Sequence, residues 1–146
     1  MRKKFRELEH EAFKELKIER LIRQELEVLA KEFDLHIITS NTRKNLDMYF
    51  ENNNFTHIFK HILAEEEHAS KTEKFRILFE KEDLNMNNCT FITDTLGDIL
   101  EAKQVSVKTI AVDYGYHERE RLEKGNPWKI ISDFKEIRKI VNDIQD

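Results

Sequence analysis

The fold of this chain is decided by the stretch Phe91-Ile92-Thr93-Asp94-Thr95-Leu96-Gly97-Asp98, where an apolar run ends on one acidic residue and a second follows four positions later. The run from 89 to 93 is rich in β-branched and aromatic residues and is bounded by polar ones, which is typical of a short strand buried on both faces. Open α/β sheets bind their ligands at the carboxyl ends of such strands. Asp94 and Asp98 would there offer hard oxygen ligands that suit Mg²⁺.

The same octapeptide has a second interpretation. Asp94 would cap the helix that begins near Leu96, and Asp98 would lie in its first turn, where the helix dipole favours a negative charge. The octapeptide alone does not decide between a metal site and a helix cap.

Helical and strand patterns alternate along the chain. Apolar residues recur at helical spacing over 5–16 and again over 21–30, which predicts two N-terminal helices. The predicted strands after them are 35–39, 58–63, 89–93 and 107–112, and the predicted helices are 42–50, 71–82, 97–103, a short one around Leu122, and 134–144. Strands that alternate with helices of this length indicate right-handed βαβ units and a mostly parallel sheet. We therefore expect an α/β fold.

Composition limits the function classes. The chain has 146 residues, enough for one domain, and its net charge of -4 gives no basic surface for nucleic acid, so no nucleic-acid partner is expected. A single cysteine, Cys89, excludes an intramolecular disulfide and a cysteine-rich zinc site, and it predicts a reducing compartment. No apolar run approaches the roughly 20 residues that cross a bilayer, and the first residues lack the apolar core of a secretion signal. We expect a cytoplasmic protein without a membrane partner.

Three polar features follow predicted strands in a fixed order. Ser40 and Asn41 follow the first strand, Lys71 begins a later helix, and Asp94 and Asp98 follow the third strand. In a parallel sheet they would share one edge, where a hydroxyl and backbone N–H groups bind phosphate oxygens, a lysine neutralises them, and a metal bridges phosphate to protein. Each feature also has a structural interpretation, because Ser40 and Asn41 are good helix caps and Lys71 is one of many surface lysines. Capping does not require a lysine between a hydroxyl and a carboxylate pair, so the order favours a phosphate site.

Three segments resemble successive motifs of the haloacid dehalogenase-like hydrolases: Ile37-Ile38-Thr39-Ser40-Asn41, Ser70-Lys71-Thr72-Glu73-Lys74-Phe75 and the octapeptide at 91–98. Residues 107–112, Tyr114-Gly115-Tyr116 and residues 126–131 resemble the tail of the phosphoglycolate-phosphatase-like branch, so the resemblance covers about residues 20 to 146.

This resemblance implies a three-layer, Rossmann-like, mostly parallel sheet and a phosphatase-type hydrolase that acts on or binds small phosphate esters with Mg²⁺. Ser40 and Asn41 would bind the transferring phosphoryl group, and Lys71 would stabilise its charge. Asp94 would ligate Mg²⁺, with Asp98 supporting the metal site.

One departure from the family pattern concerns the nucleophile. The family opens with a strand that ends in an Asp-x-Asp pair, ahead of a helical cap, and Asp-x-Asp occurs nowhere in these 146 residues. We therefore expect a sheet that lacks its usual first central strand, with residues 1–34 as a helical remnant of the cap and 35–146 as the α/β core. Covalent phosphoryl transfer needs an activated nucleophile, so no catalytic residue is assigned, turnover by the family route is predicted to be absent, and whether the chain is an enzyme stays open.

The missing strand would lie between the strands at 35–39 and 89–93. Its loss would leave roughly five backbone groups unpaired on each side, at about 1 to 3 kcal/mol each when buried, against a total stability of about 5 to 15 kcal/mol. The first hypothesis is that the two flanking strands pair directly, and the second is that another chain, such as an identical one, supplies the contacts. The alternative function is a non-catalytic interaction module that oligomerises through its helices or an open sheet edge.

Overall fold

The computed structural model describes residues 20–54 and 58–145, and the chain divides between Ala69 and Ser70 into two compact units. The predicted helix over 5–16 lies outside the described residues. The division into a cap remnant, 1–34, and a core, 35–146, stays a prediction. None of the helices in the described part is long and apolar enough to cross a membrane.

The first unit contains one helix followed by a βαβ segment. In chain order its elements are α1 (Arg20–Glu32), β1 (Leu35–Ile38), α2 (Arg43–Asn52) and β2 (Phe59–Leu63). β1 and β2 are parallel, with a register irregularity between Leu35 and His36. Helix α2 begins at Arg43 because the Thr42 side chain accepts a hydrogen bond from the Asn45 N–H at 3.2 Å. Leu46 and Phe50, one turn apart on α2, are buried and form the core of this unit together with Ala64.

The second unit continues the alternation around a three-stranded sheet. Its elements are α3 (Lys71–Glu82), a 3₁₀ turn (Met86–Asn88), β3 (Thr90–Thr93), α4 (Leu96–Lys103), β4 (Lys108–Val112), α5 (Arg119–Glu123), β5 (Lys129–Ile131) and α6 (Glu136–Gln145). The strands are parallel in the order β3-β4-β5. Ile99 of α4, Ala111 of β4 and Leu122 of α5 are fully buried against one another. Because all three strands are parallel, their carboxyl ends lie at one edge.

The structure confirms the α/β class, with parallel strands, intervening helices and a helix, α1, ahead of the first strand. The predicted elements in the described residues are present, with bounds displaced by no more than about two residues, as is usual for predicted ends. The prediction missed β5 and the 3₁₀ turn, because three residues are too few to show a hydrophobic period.

The hypothesis that the strands at 35–39 and 89–93 pair directly stays a prediction, because the structure describes strand pairing within each unit. Among the residues described, β1 is hydrogen-bonded to β2 in one sheet, and β3 to β4 in another. All four residues of β1 and three of the four of β3 are only partly buried. That another chain supplies contacts stays a prediction.

Candidate functional site

An ion pair joins the starts of α3 and α4 in the second unit. The Lys71 Nζ lies 2.5 Å from Asp98 Oδ1, and the two side chains are only 12% and 16% exposed. The other carboxylate oxygen of Asp98, Oδ2, accepts a hydrogen bond from the Thr93 hydroxyl at 2.7 Å. Asp98 therefore links the lysine to the carboxyl end of β3.

The position of Lys71 is set by contacts of its own helix and of α4. Ser70 caps α3, because its hydroxyl accepts the Glu73 N–H at 3.3 Å. Glu101 of α4 accepts the Lys71 N–H at 2.7 Å through its carboxylate, and its carbonyl accepts the Thr72 hydroxyl at 2.9 Å. A cation in the first turn of a helix opposes the dipole at a cost of about 0.3 to 1 kcal/mol, which the ion pair with Asp98 offsets. The interpretation of Lys71 as an ordinary surface lysine is therefore wrong.

Asp94 follows β3 directly but does not cap α4. The cap is Thr95, whose hydroxyl accepts the Asp98 N–H at 3.2 Å. The carboxylate of Asp94 instead accepts the Tyr116 N–H at 2.9 Å through Oδ2. The capping interpretation of Asp94 is thus wrong, whereas Asp98 does lie in the first turn of α4.

The loop after β4 contacts the connection between β3 and α4 through its backbone and one imidazole. The His117 N–H donates to the Asp94 carbonyl at 3.0 Å, and His117 Nδ1 accepts the Leu96 N–H at 2.9 Å. A Cβ placed on Gly115 would lie 2.4 Å from Asp94 Oδ2, so the loop approaches that carboxylate more closely than any side chain would allow. These loop residues were not predicted to belong to the site, and the one sequence signal for them is a glycine between two tyrosines after a strand.

The carboxylates of Asp94 and Asp98 fit a Mg²⁺ site that has few protein ligands. Magnesium uses one or two protein carboxylates and keeps several waters. Asp94 Oδ1 receives no hydrogen bond from the described residues, while both oxygens of Asp98 are engaged by Lys71 and Thr93. Residues 20–54 and 58–145 contain no group of three or more His, Cys, Asp or Glu side chains placed so that they could hold a metal ion. Mg²⁺ does not require such a group, because one or two carboxylates are enough. Of the two carboxylates, Asp94 thus has the oxygen without a hydrogen bond from the described residues, and Asp98 holds Lys71.

Ser40 and Asn41 belong to the first unit, where they follow β1. Ser40 is exposed, and its hydroxyl makes no hydrogen bond with the described residues. Asn41 donates its N–H to the Thr39 hydroxyl at 3.1 Å and accepts the Glu65 N–H through its carbonyl at 2.9 Å. Because Thr42 caps α2, the capping interpretation of Ser40 and Asn41 is wrong. Their association with Lys71, Asp94 and Asp98 stays a prediction.

A third carboxylate lies at the same edge of the three-stranded sheet. Asp113 follows β4, and its Oδ2 accepts hydrogen bonds from the Ser132 hydroxyl at 2.8 Å and from Arg119 Nε at 2.9 Å. The Ser132 hydroxyl and then the Arg119 guanidinium lower the pKa of Asp113. These bonds join the ends of β4 and β5 to the start of α5, so Asp113 has a structural role.

Comparison with known proteins gives a consistent result. The model of the family described as haloacid dehalogenase-like hydrolase matches residues 1–112. A hydrolase of the haloacid dehalogenase-like family from Streptococcus pneumoniae is 22% identical, with a TM-score of 0.81 over 88% of this chain and 62% of that one. A predicted phosphoglycolate phosphatase from Haemophilus somnus is 24% identical, with a TM-score of 0.75 over 82% of this chain and 55% of that one. A predicted phosphatase from Clostridium acetobutylicum is 20% identical, with a TM-score of 0.75 over 82% and 57%.

The chain thus spans between 55% and 62% of the length of these three solved structures. At identities below 25% the likeness to them establishes the fold. No curated protein matches the chain significantly.

Proposed function

The chain belongs to the haloacid dehalogenase-like hydrolase family, and from this premise we propose that it binds small phosphate esters together with Mg²⁺ as a homologue of the family's phosphatase-type members. We further propose that the 146 residues alone do not turn such esters over, and that they act in the reducing cytoplasm, for which the single Cys89 is the argument.

The observation that carries the proposal is the ion pair between Lys71 and Asp98, which the Thr93 hydroxyl joins to the strand end that Asp94 follows. An ammonium held in place by an ion pair can neutralise the oxygens of a phosphoryl group without reorganising when that group arrives. Asp98 keeps the ammonium in place, and Asp94 would hold the metal through Oδ1. When bound, Mg²⁺ polarises a phosphoryl oxygen as a Lewis acid.

The absence of turnover follows from the chemistry of the carboxylates. The family route begins with attack on phosphorus by an aspartate of an Asp-x-Asp pair, and this sequence contains no such pair. Both oxygens of Asp98 are bound to Lys71 and Thr93, and the proposal gives Asp94 to the metal, so neither carboxylate is assigned as a substitute.

Two assays on the full chain test the proposal. The first measures Mg²⁺-dependent hydrolysis of a generic aryl phosphate, and we expect no rate above background for the chain or for Asp94→Asn. The second measures binding of inorganic phosphate in the presence of Mg²⁺ by calorimetry. We expect binding that is lost in Lys71→Met and retained in Lys81→Met, since Lys81 is an exposed lysine in the last turn of the same helix.

Each assay can contradict one part of the proposal. Clear turnover that disappears in Asp94→Asn would contradict the inactive state. Failure to bind phosphate and Mg²⁺ would contradict the binding function. Concentration-dependent self-association without any response to the metal would then favour the alternative, an interaction module.

A further inference from the structure

We propose that Gly115 and Tyr116 position the Asp94 carboxylate so that Oδ1 alone is presented to a cation. The inference rests on the proposed function, because it takes Asp94 as the metal ligand. Gly115 and Tyr116 act through Asp94, so they are positioning residues and not ligands.

The first observation is that two successive N–H groups bind the same residue at two points. The Tyr116 N–H donates to Asp94 Oδ2 at 2.9 Å, and the His117 N–H donates to the Asp94 carbonyl at 3.0 Å. One bond fixes the side chain and the other fixes the backbone that carries it. A hydrogen bond to a charged carboxylate is among the stronger ones in proteins. The carboxylate therefore has a single preferred orientation before any metal arrives.

The second observation is the space at Gly115. A Cβ there would lie 2.4 Å from Asp94 Oδ2, 2.6 Å from its Cβ and 2.9 Å from its Cγ. The φ angle of Gly115 is not in the left-handed region, so backbone conformation does not explain the glycine. Because the atoms in the way include the Cβ of Asp94, a side chain at 115 would have to move the loop and break the hydrogen bond from Tyr116.

The other two glycines provide contrasts. A Cβ on Gly97 would meet nothing within 4 Å, and one on Gly125 would meet the side chains of Ile99 and Leu96 at 2.8 and 2.9 Å. A side chain would thus fit at Gly97, whereas at Gly125 it would collide with the core and at Gly115 it would collide with Asp94.

A carboxylate fixed in this way selects among cations. With Oδ2 occupied by an N–H, Asp94 binds through one oxygen, which suits the small, octahedral, water-rich Mg²⁺. Calcium takes more oxygen ligands and often uses both oxygens of a carboxylate. We therefore expect the chain to prefer Mg²⁺ and Mn²⁺ over Ca²⁺, and this preference to depend on Gly115.

The test is a titration of the full chain with Mn²⁺, followed by electron paramagnetic resonance, with Ca²⁺ as competitor. Because loss of the groups that orient a metal ligand weakens affinity by about 10- to 100-fold, we expect Gly115→Ala to bind Mn²⁺ at least about tenfold more weakly and to discriminate less against Ca²⁺. Gly97→Ala should bind as the parent chain does. Gly125→Ala should lower the melting temperature without weakening Mn²⁺ binding, which separates loss of packing from loss of positioning.

A second measurement needs no metal. The Tyr116 amide should exchange slowly with solvent in the parent chain, and its exchange should accelerate in both Asp94→Ala and Gly115→Ala while the circular dichroism of the fold is unchanged. Unchanged Tyr116 exchange in both variants would overturn the inference.

The pattern of results separates the two claims. If Asp94→Ala loses Mn²⁺ and folded Gly115→Ala keeps the parent affinity, the positioning inference is overturned and the proposed function stands. If the parent chain binds no Mn²⁺, or Asp94→Ala binds as the parent does, the assignment of Asp94 as ligand fails and the inference fails with it.

Discussion

Replacing Asp98 with alanine should destabilise the chain, because it removes the carboxylate from a lysine that is largely buried. Breaking a fully buried ion pair by deleting one partner costs about 3 to 5 kcal/mol. Here Lys71 keeps 12% of its side-chain surface in water and can turn outward, so we expect about 2 kcal/mol from this source. The Thr93 hydroxyl also loses its acceptor, at about 1 kcal/mol. The total of about 3 kcal/mol is a large part of the roughly 5 to 15 kcal/mol available to a folded domain.

Urea unfolding followed by circular dichroism would measure this cost and its origin. The double variant Asp98→Ala with Lys71→Met should recover stability relative to Asp98→Ala alone, because it leaves no unpaired charge, and the coupling between the sites should be about 1 to 3 kcal/mol. The matched control is Arg76→Ala. This change breaks an ion pair to Glu73 on the same helix whose side chains are 55% and 42% exposed, and it should cost no more than about 1 kcal/mol.

Two results would refute this reasoning. Equal costs for Asp98→Ala and Arg76→Ala would mean that the pair at Asp98 is as solvated as a surface pair. Additive costs in the double variant would mean that Asp98 and Lys71 do not interact in solution.

Three further predictions concern single residues. The Ser132 hydroxyl lowers the pKa of Asp113, so the folded chain keeps this carboxyl ionised at pH values below its ordinary pKa near 4. The stability that Asp113 contributes is therefore lost as the pH falls through the lower folded pKa. In thermal unfolding, Asp113→Asn should lose less stability between pH 7 and pH 3 than the parent chain does. Thr95→Ala should cost about 1 kcal/mol by removing the cap of α4, whereas Asp94→Asn should leave the helix content of the circular dichroism spectrum unchanged. Burial raises the pKa of the Cys89 thiol, so iodoacetamide should modify it more slowly at pH 7 in the native chain than in urea, and equal rates would contradict this.

The sequence was most informative where local chemistry determines the structure. Helix α3 begins at Lys71 as predicted, because Ser70 and Glu73 have the spacing of an N-cap and its N–H donor. The predicted α/β class rests on the spacing of apolar residues, which differs between helices and strands. In the structure these segments are parallel strands and the helices between them. Helix caps were less predictable, because Asp94 and Thr95 are both good capping residues and only the backbone direction decides between them.

Only the contacts of the site that are made between side chains could be predicted from the sequence. Lys71 and Asp98 were assigned from residue type and order, and the structure brings them into contact. The contact between Tyr116 and Asp94 could not be predicted, because every residue except proline has the same N–H and nothing marks which one reaches a carboxylate 22 positions away.

The hydrogen bond at the start of α4 also fixes the chemistry of an imidazole ring. A ring nitrogen that accepts a hydrogen bond has no hydrogen of its own, so the hydrogen bond from the Leu96 N–H to His117 Nδ1 requires the tautomer that carries its hydrogen on Nε2. In that tautomer Nε2 is a donor without a free lone pair. A cation such as Cu²⁺ or Zn²⁺ could then bind at Nε2 only after a change of tautomer that breaks the hydrogen bond from the Leu96 N–H, and long-range ¹⁵N spectra of the ring would show the tautomer directly.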